Sequence, residues 1–223
     1  FESVAGKIHP DDAALLPFHT PFPGMVRKAA ALAFRHVSRD TEIEEELAAD
    51  IGRQPRREAF DSEESFREAA ADYTDELTDT DIYREWYADT VEPTLTISRE
   101  VGNWYTGSVH VARLSGLKAA YEDGVDMTGE KLLVGSYGSG AQAEIHAETV
   151  QPGWADEIEA LDVDEQLAAR YELTFEEYED VHDVHNHDED AGAADIDQFT
   201  APEAEFVFDG WGRMGERKYT YVE

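Results

Sequence analysis

The chain has 223 residues, enough for one sizeable core, and 41% of them are hydrophobic and gathered in runs, which excludes a disordered chain. Against 18 Lys and Arg stand 51 Asp and Glu, a net charge of −33, and nucleic acid is excluded as a partner because phosphate binding needs a basic face. No Cys is present, so disulfides, thiolate metal sites and a Cys nucleophile are excluded within this chain, and no apolar run approaches the roughly 20 residues of a membrane span.

The acidic residues are spread between apolar runs rather than gathered in a tail, which predicts a folded protein with an acidic surface nearly everywhere. Such a surface repels itself at low salt, and at molar salt, where the Debye length is about 3 Å, the repulsion fades. The balance fits a protein of a salt-accumulating cytoplasm, with an ordinary acidic protein as the alternative. No signal peptide is recognisable.

In chain order, Ala13–Phe18 reads as a buried strand, and Met25–Phe34 follows as a helix. Between them lies His19-Thr20-Pro21-Phe22-Pro23, where Pro21 and Pro23 fix the backbone and keep the helix from starting early. Strand ends of this kind collect ligands and catalytic groups in α/β proteins, so His19 is a candidate functional residue against a plain core or surface histidine. Thr41–Ile51 predicts a short acidic helix and Ser62–Tyr87 a longer one, so that residues 40–90 form an acidic helical insertion. The basic cluster Arg53, Arg56 and Arg57 between them is expected to pair with neighbouring acids rather than to bind an anion.

Thr94–Ser98 alternates like a strand, and Val109–Tyr121 reads as a buried helix. Lys131–Gly135 is the clearest buried strand; Ser136–Gly140 is expected as a Gly/Ser turn into a helix over Ala141–Val150. The free N–H groups of such a helix start would suit an oxyanion or a phosphate, or the turn is only a tight connection. Asn103 and Tyr105 offer an amide and a phenol at another junction, with a helix cap the better reading of Asn103 in isolation. Residues 151–203 read as acidic short helices and loop, and 204–223 as a terminal hairpin. Within the loop, His182, His185 and His187 have the look of a metal tract, but without apolar support a solvated loop is the better reading and no metal site is assigned.

Taken together, Phe18-His19-Thr20-Pro21-Phe22 with Lys28, Ser98–Ser108 around Gly102-Asn103-Trp104-Tyr105-Thr106, Gly135–Gly140, and the closing Gly210-Trp211 with Arg217–Tyr221 resemble the hydroxymethylglutaryl-CoA synthase family. The resemblance covers nearly the whole chain, but only the C-terminal half of such an enzyme. It implies an α/β, thiolase-like layered αβαβα sandwich, of which this chain supplies the C-terminal half with helical insertions. It also implies condensation of acetyl-CoA with acetoacetyl-CoA, in which a Cys carries the acetyl group and a Glu moves its methyl proton. Both of those residues belong to the family's N-terminal half.

By the same resemblance, His19 holds the acetoacetyl-CoA carbonyl, while Lys28, Asn103 and Ser136 meet substrate or CoA. Pro21, Tyr105, Tyr137 and Gly138 are supporting candidates, and Gly24 stands where the family often has a second Lys. No cofactor is expected beyond coenzyme A thioesters as substrates. The expected partners are the N-terminal half of the same enzyme and a second copy in a homodimer, with no nucleic acid and no membrane. Two alternatives remain: another thiolase-like condensing enzyme such as a ketoacyl synthase, and a non-catalytic acidic binding module built on the His182–His187 tract.

Overall fold

In the computed structural model of the chain, which describes residues 13–138 and 142–179 together with the strands Phe206–Trp211 and Arg217–Tyr221, the first apolar run lies extended and buried. It runs parallel to β1 (Lys131–Gly138) through bridges at Leu15–Leu132 and Phe18–Gly135. On its other edge β1 pairs antiparallel with β2 (Gln142–Thr149), in unbroken register from Lys131–Thr149 to Gly138–Gln142.

Alternation along a strand sends neighbouring side chains to opposite faces. Leu15, Leu132 and Val134 accordingly cluster with Val109 of α6 (Ser108–Glu122) and with Met127 and Val150. Leu16, with Leu133 packed beside it, joins Val26 and Ala30 of α1 (Pro23–Val37) together with Val91 and Leu95. A helix thus covers each face of this small sheet. A second stripe of α1, Ala31 and Phe34, meets Leu47 of α2 (Glu42–Asp50), Tyr73 and Leu77 of α3 (Glu63–Leu77), and Tyr83 of α4 (Asp81–Thr90). The helices of residues 40–90 therefore share a core with α1.

The chain divides into two compact units, Phe1–Leu161 and Asp162–Glu223. The first contains α5 (Thr96–Val101) and ends in α7 (Trp154–Leu161). The second contains α8 (Val163–Ala168) and an antiparallel pair, β3 (Phe206–Trp211) with β4 (Arg217–Tyr221). Among the described residues no helix is long and apolar enough to cross a membrane.

Three expectations are corrected. The alternating Thr94–Ser98 is not a strand: Glu92–Leu95 is a 3-10 turn that runs into α5. Hydroxyls replace the ladder partners a strand would need: Thr94 Oγ1 donates to the Val91 carbonyl (2.6 Å), and Ser115 Oγ accepts from Ile97 N–H (3.2 Å) and donates to the Pro93 carbonyl (2.9 Å). The expected helix over Ala141–Val150 is instead β2, because eight residues of pairing with β1 outweigh the helix preference of Ala, Glu and Gln. The long helix over Ser62–Tyr87 breaks at Thr78–Thr80, where Thr80 Oγ1 donates to the Leu77 carbonyl (2.8 Å) and accepts from Tyr83 N–H (3.3 Å).

The basic cluster is spent locally. Arg53 pairs with Glu45 (2.9 Å) and Arg57 with Glu63 (3.0 Å), both in the open. Arg56 differs, because its guanidinium meets Glu44 (2.8 Å), whose side chain is only 6% exposed and also accepts from Asp40 N–H (2.6 Å). Truncating Arg56 leaves that carboxylate buried without its cation. Arg56→Ala is expected to cost about 1–3 kcal/mol, below the range for a fully buried pair because Arg56 is itself partly exposed. Arg53→Ala should cost under about 0.5 kcal/mol, and thermal unfolding of the two variants checks the order.

Candidate active site

His19 is the residue at which the extended segment leaves β1. Along that segment Leu133 N–H donates to the Leu15 carbonyl (3.0 Å), Gly135 N–H to the Pro17 carbonyl (2.9 Å), and His19 N–H to the Gly135 carbonyl (2.7 Å). Pro17 costs the ladder nothing here, since it takes part through its carbonyl. Two residues on, Pro21 lies half-buried and Pro23 opens α1 at its first helical position, where a missing N–H is tolerated.

The ring of His19 is fixed as well as its backbone. Its Nδ1 lies 2.8 Å from Ser108 Oγ, at the first residue of α6. The same oxygen accepts from Thr20 N–H (3.0 Å), and Thr20 Oγ1 donates to the Phe18 carbonyl (2.8 Å). Ser108 and Thr20 are both 1% exposed, so this knot is dry, whereas His19 is half-buried. With Ser108 Oγ already accepting from Thr20, donation of its own hydrogen to Nδ1 satisfies every polar atom of the hydroxyl. In the tautomer where Ser108 donates to Nδ1, the imidazole proton lies on Nε2, where it can be donated.

Tyr137 stands beside the ring, with centroids 6.2 Å apart and planes tilted by 48°. Beneath lies Gly135, where a Cβ would come within 2.7 Å of Phe18 Cδ1, so the absence of a side chain allows the Phe18 ring to lie flat on β1. Ser136 is half-buried on the same strand and pairs with Glu144; strand alternation directs its side chain away from the face of Tyr137. Ser136 to Gly138 belong to β1 and residues 142–149 form β2, so the expected helix over 141–150 is not there to supply an anion site, and Ser139 and Gly140 lie outside the described residues. Gly138 ends β1.

Asn103 is exposed, and its Oδ1 accepts from Tyr105 N–H (2.8 Å) in a local turn rather than capping α6. Tyr105 has φ +50° in that turn, unusual for a residue with a side chain, and is 78% exposed beside Trp104. Such strain collects at functional sites. Lys28 is exposed on α1. The structure thus joins His19, Tyr137 and the backbone of β1 directly, while among the described residues no hydrogen bond ties Asn103, Tyr105 or Lys28 to them. Ser108 and Gly135 do structural work at the site that sequence reasoning left unassigned. No group of three or more His, Asp or Glu able to hold a metal occurs among the described residues, and His182–His187 lies outside them.

Residues 5–201 match the family model described as hydroxymethylglutaryl-coenzyme A synthase C terminal. The chain belongs to the hydroxymethylglutaryl-CoA synthase family. It is 64% identical over its whole length to the hydroxymethylglutaryl-CoA synthase of Haloferax volcanii, of which it spans 49%. Among solved structures, the HMG synthase of the curacin biosynthetic pathway superposes with a TM-score of 0.66 at 22% identity, covering 98% of this chain and 46% of that one. MvaS in complex with 3-hydroxy-3-methylglutaryl coenzyme A gives a TM-score of 0.61 at 22% identity, over 96% and 43%. The fold is accordingly that of a thiolase-like synthase, and the chain corresponds to about half of such a protein.

Proposed function

We propose that the protein containing this chain is a hydroxymethylglutaryl-CoA synthase, joining acetyl-CoA to acetoacetyl-CoA, and that this chain supplies the side of the site that receives acetoacetyl-CoA. The observation that carries the proposal is the doubly fixed His19, held through its N–H by Gly135 and through Nδ1 by Ser108, at a strand end beside Tyr137. The family match and the MvaS complex with a product thioester support it.

The chemistry follows from the bonds that change. The acetyl group, carried as a thioester on a Cys outside this chain, loses a methyl proton to a Glu also outside it. The resulting carbanion forms a C–C bond to the ketone of acetoacetyl-CoA, whose oxygen gains the electron pair of its broken π bond. An Nε2–H donor held at that oxygen stabilises the transition state more than the ground state, and transfer of the proton leaves the tertiary hydroxyl. Water then cleaves the enzyme thioester and frees the product. The family resemblance assigns Asn103 and Ser136 to the acyl group and Lys28 to the CoA portion, away from the His19–Tyr137 face. The homodimer is what the family resemblance implies, and a salt-accumulating cytoplasm is the setting that the −33 charge and the Haloferax volcanii relative support.

The full-length protein given both thioesters should form 3-hydroxy-3-methylglutaryl-CoA and release CoA; no product from the pair would overturn the proposal. In the same assay Ser108 acts as a positioning residue. Ser108→Ala should lower kcat/KM for acetoacetyl-CoA about tenfold and move the pH profile of condensation, because the proton position on His19 is no longer set. Ser108→Thr, which keeps the hydroxyl, should restore the profile, and an unmoved profile in Ser108→Ala would leave the residue a merely structural role.

A further inference from the structure

β2 pairs with β1 along one edge, and among the described residues of its unit no strand pairs with the other. Every residue of β2 except Glu148 is exposed, Ile145 to 38%. An open edge strand is a template for pairing with another chain, and proteins commonly blunt such edges with Lys, Pro or a bulge. β2 contains neither Lys nor Pro, and its register with β1 is unbroken from Gln142 to Thr149. This flat, unblunted edge suits pairing with another strand.

The backbone settles which residues would pair. In β1, Leu133 N–H and Gly135 N–H donate to the extended segment ending at Phe18, and the Lys131 and Gly135 carbonyls accept from the stretch Ala14–His19. Their partners in β2, namely Thr149, Ala147 and Ile145, therefore turn their own N–H and C=O groups away from β1 and onto the free edge, as does Ala143 by the same alternation. A strand added there must set outward-turned residues opposite one another. β2 can do this with a second copy of itself. In the antiparallel register centred on Ile145, Ile145 meets Ile145, Ala143 meets Ala147, and Glu144 meets His146 of the other copy. Sliding one pair in one direction sets Glu144 against Glu144. Sliding in the other sets Glu144 against Glu148 and His146 against His146. Charge thus selects the register centred on Ile145.

We propose that β2 joins two copies of this chain edge to edge, with Ile145 on the two-fold axis and one sheet running through both. One strand from each copy makes a small interface, which places the association at the weak end, with Kd on the order of micromolar. The charge of −33 on each copy opposes it at low salt. At molar salt a screening length of about 3 Å removes that repulsion and leaves the backbone bonds and the Ile145 contact in place. The claim is independent of the condensation reading. It also stands beside any other surface through which the full-length protein joins copies, because loss of the β2 contact halves the mass in either case.

Sedimentation velocity of the full-length protein in about 2 M KCl, from about 1 to 200 μM, compares the wild type with Ile145→Pro and Ile145→Lys. Ile145→Pro removes an N–H that β1 does not use, so the pairing of β1 with β2 is kept. Ile145→Lys blunts the edge by charge alone. The wild type should approach twice the mass of either variant at the upper concentrations. Disulfide mapping then tests the register. Opposed Ile145 residues have Cα atoms about 5.5 Å apart, within disulfide reach, so mild oxidation of Ile145→Cys should link residue 145 of one copy to residue 145 of the other. Gln142→Cys, which faces Glu148 rather than itself, should not link. Equal masses for the wild type and both variants, or linking of Gln142→Cys as fast as Ile145→Cys, overturns the proposal.

Discussion

His19→Ala in the full-length protein is expected to slow condensation with acetoacetyl-CoA by about 10²–10⁴-fold while acetylation by acetyl-CoA survives within about threefold. The size follows from losing a fixed donor at an oxygen that gains charge together with the proton that completes the alcohol. The selectivity follows from position: in the proposed reaction the acetyl group is received by a Cys, and this chain contains none. Folding should hold, because Thr20 N–H keeps Ser108 as its acceptor and the His19 backbone keeps Gly135. Rapid-quench measurement of enzyme-bound acetyl and of product separates the two steps. Loss of acetylation with condensation spared would assign His19 the wrong role.

Gly135→Ala should disturb the same residue from beneath. An added Cβ would sit 2.7 Å from Phe18 Cδ1 and 3.0 Å from Cε1, and the ring it meets packs against the core cluster of Leu16 and Val26. A rigid ring cannot fold aside as a long flexible side chain can. Either Phe18 or the bond between His19 and the Gly135 carbonyl must move, and displacement of a catalytic group by about 1 Å can cost 10²-fold. Condensation should fall about 10–100-fold with a stability loss of about 1–3 kcal/mol. Gly52→Ala, where space is open but φ is +85°, should lower stability while leaving condensation unchanged. Wild-type turnover in Gly135→Ala would show that Phe18 yields freely.

The parts of the fold legible in the sequence are those with unbroken apolar patterning: the segment ending at Phe18, α1, α6 and β1. The same patterning misled at Thr94–Ser98, where alternating Thr and Ser hydroxyls serve backbone groups in a turn and short helix. It also misled at β2, whose Gln-Ala-Glu composition favours a helix until β1 supplies a partner for every residue. His19 was visible because two prolines and a strand end mark it locally. Ser108 was not, since its partner lies 89 positions away and a hydroxyl at a helix start reads as a cap.

The proposed function places on this chain the carbonyl-receiving side of a condensing site whose nucleophile lies outside it. The most direct test is covalent labelling by radiolabelled acetyl-CoA, followed by addition of acetoacetyl-CoA, on three proteins: the 223-residue chain, the full-length protein, and its His19→Ala variant. No label is expected on the chain alone, label that discharges into product is expected on the full-length protein, and label that forms but stays is expected on the His19→Ala variant. Label acquired by the chain alone, or prompt discharge from His19→Ala, would contradict the proposed function.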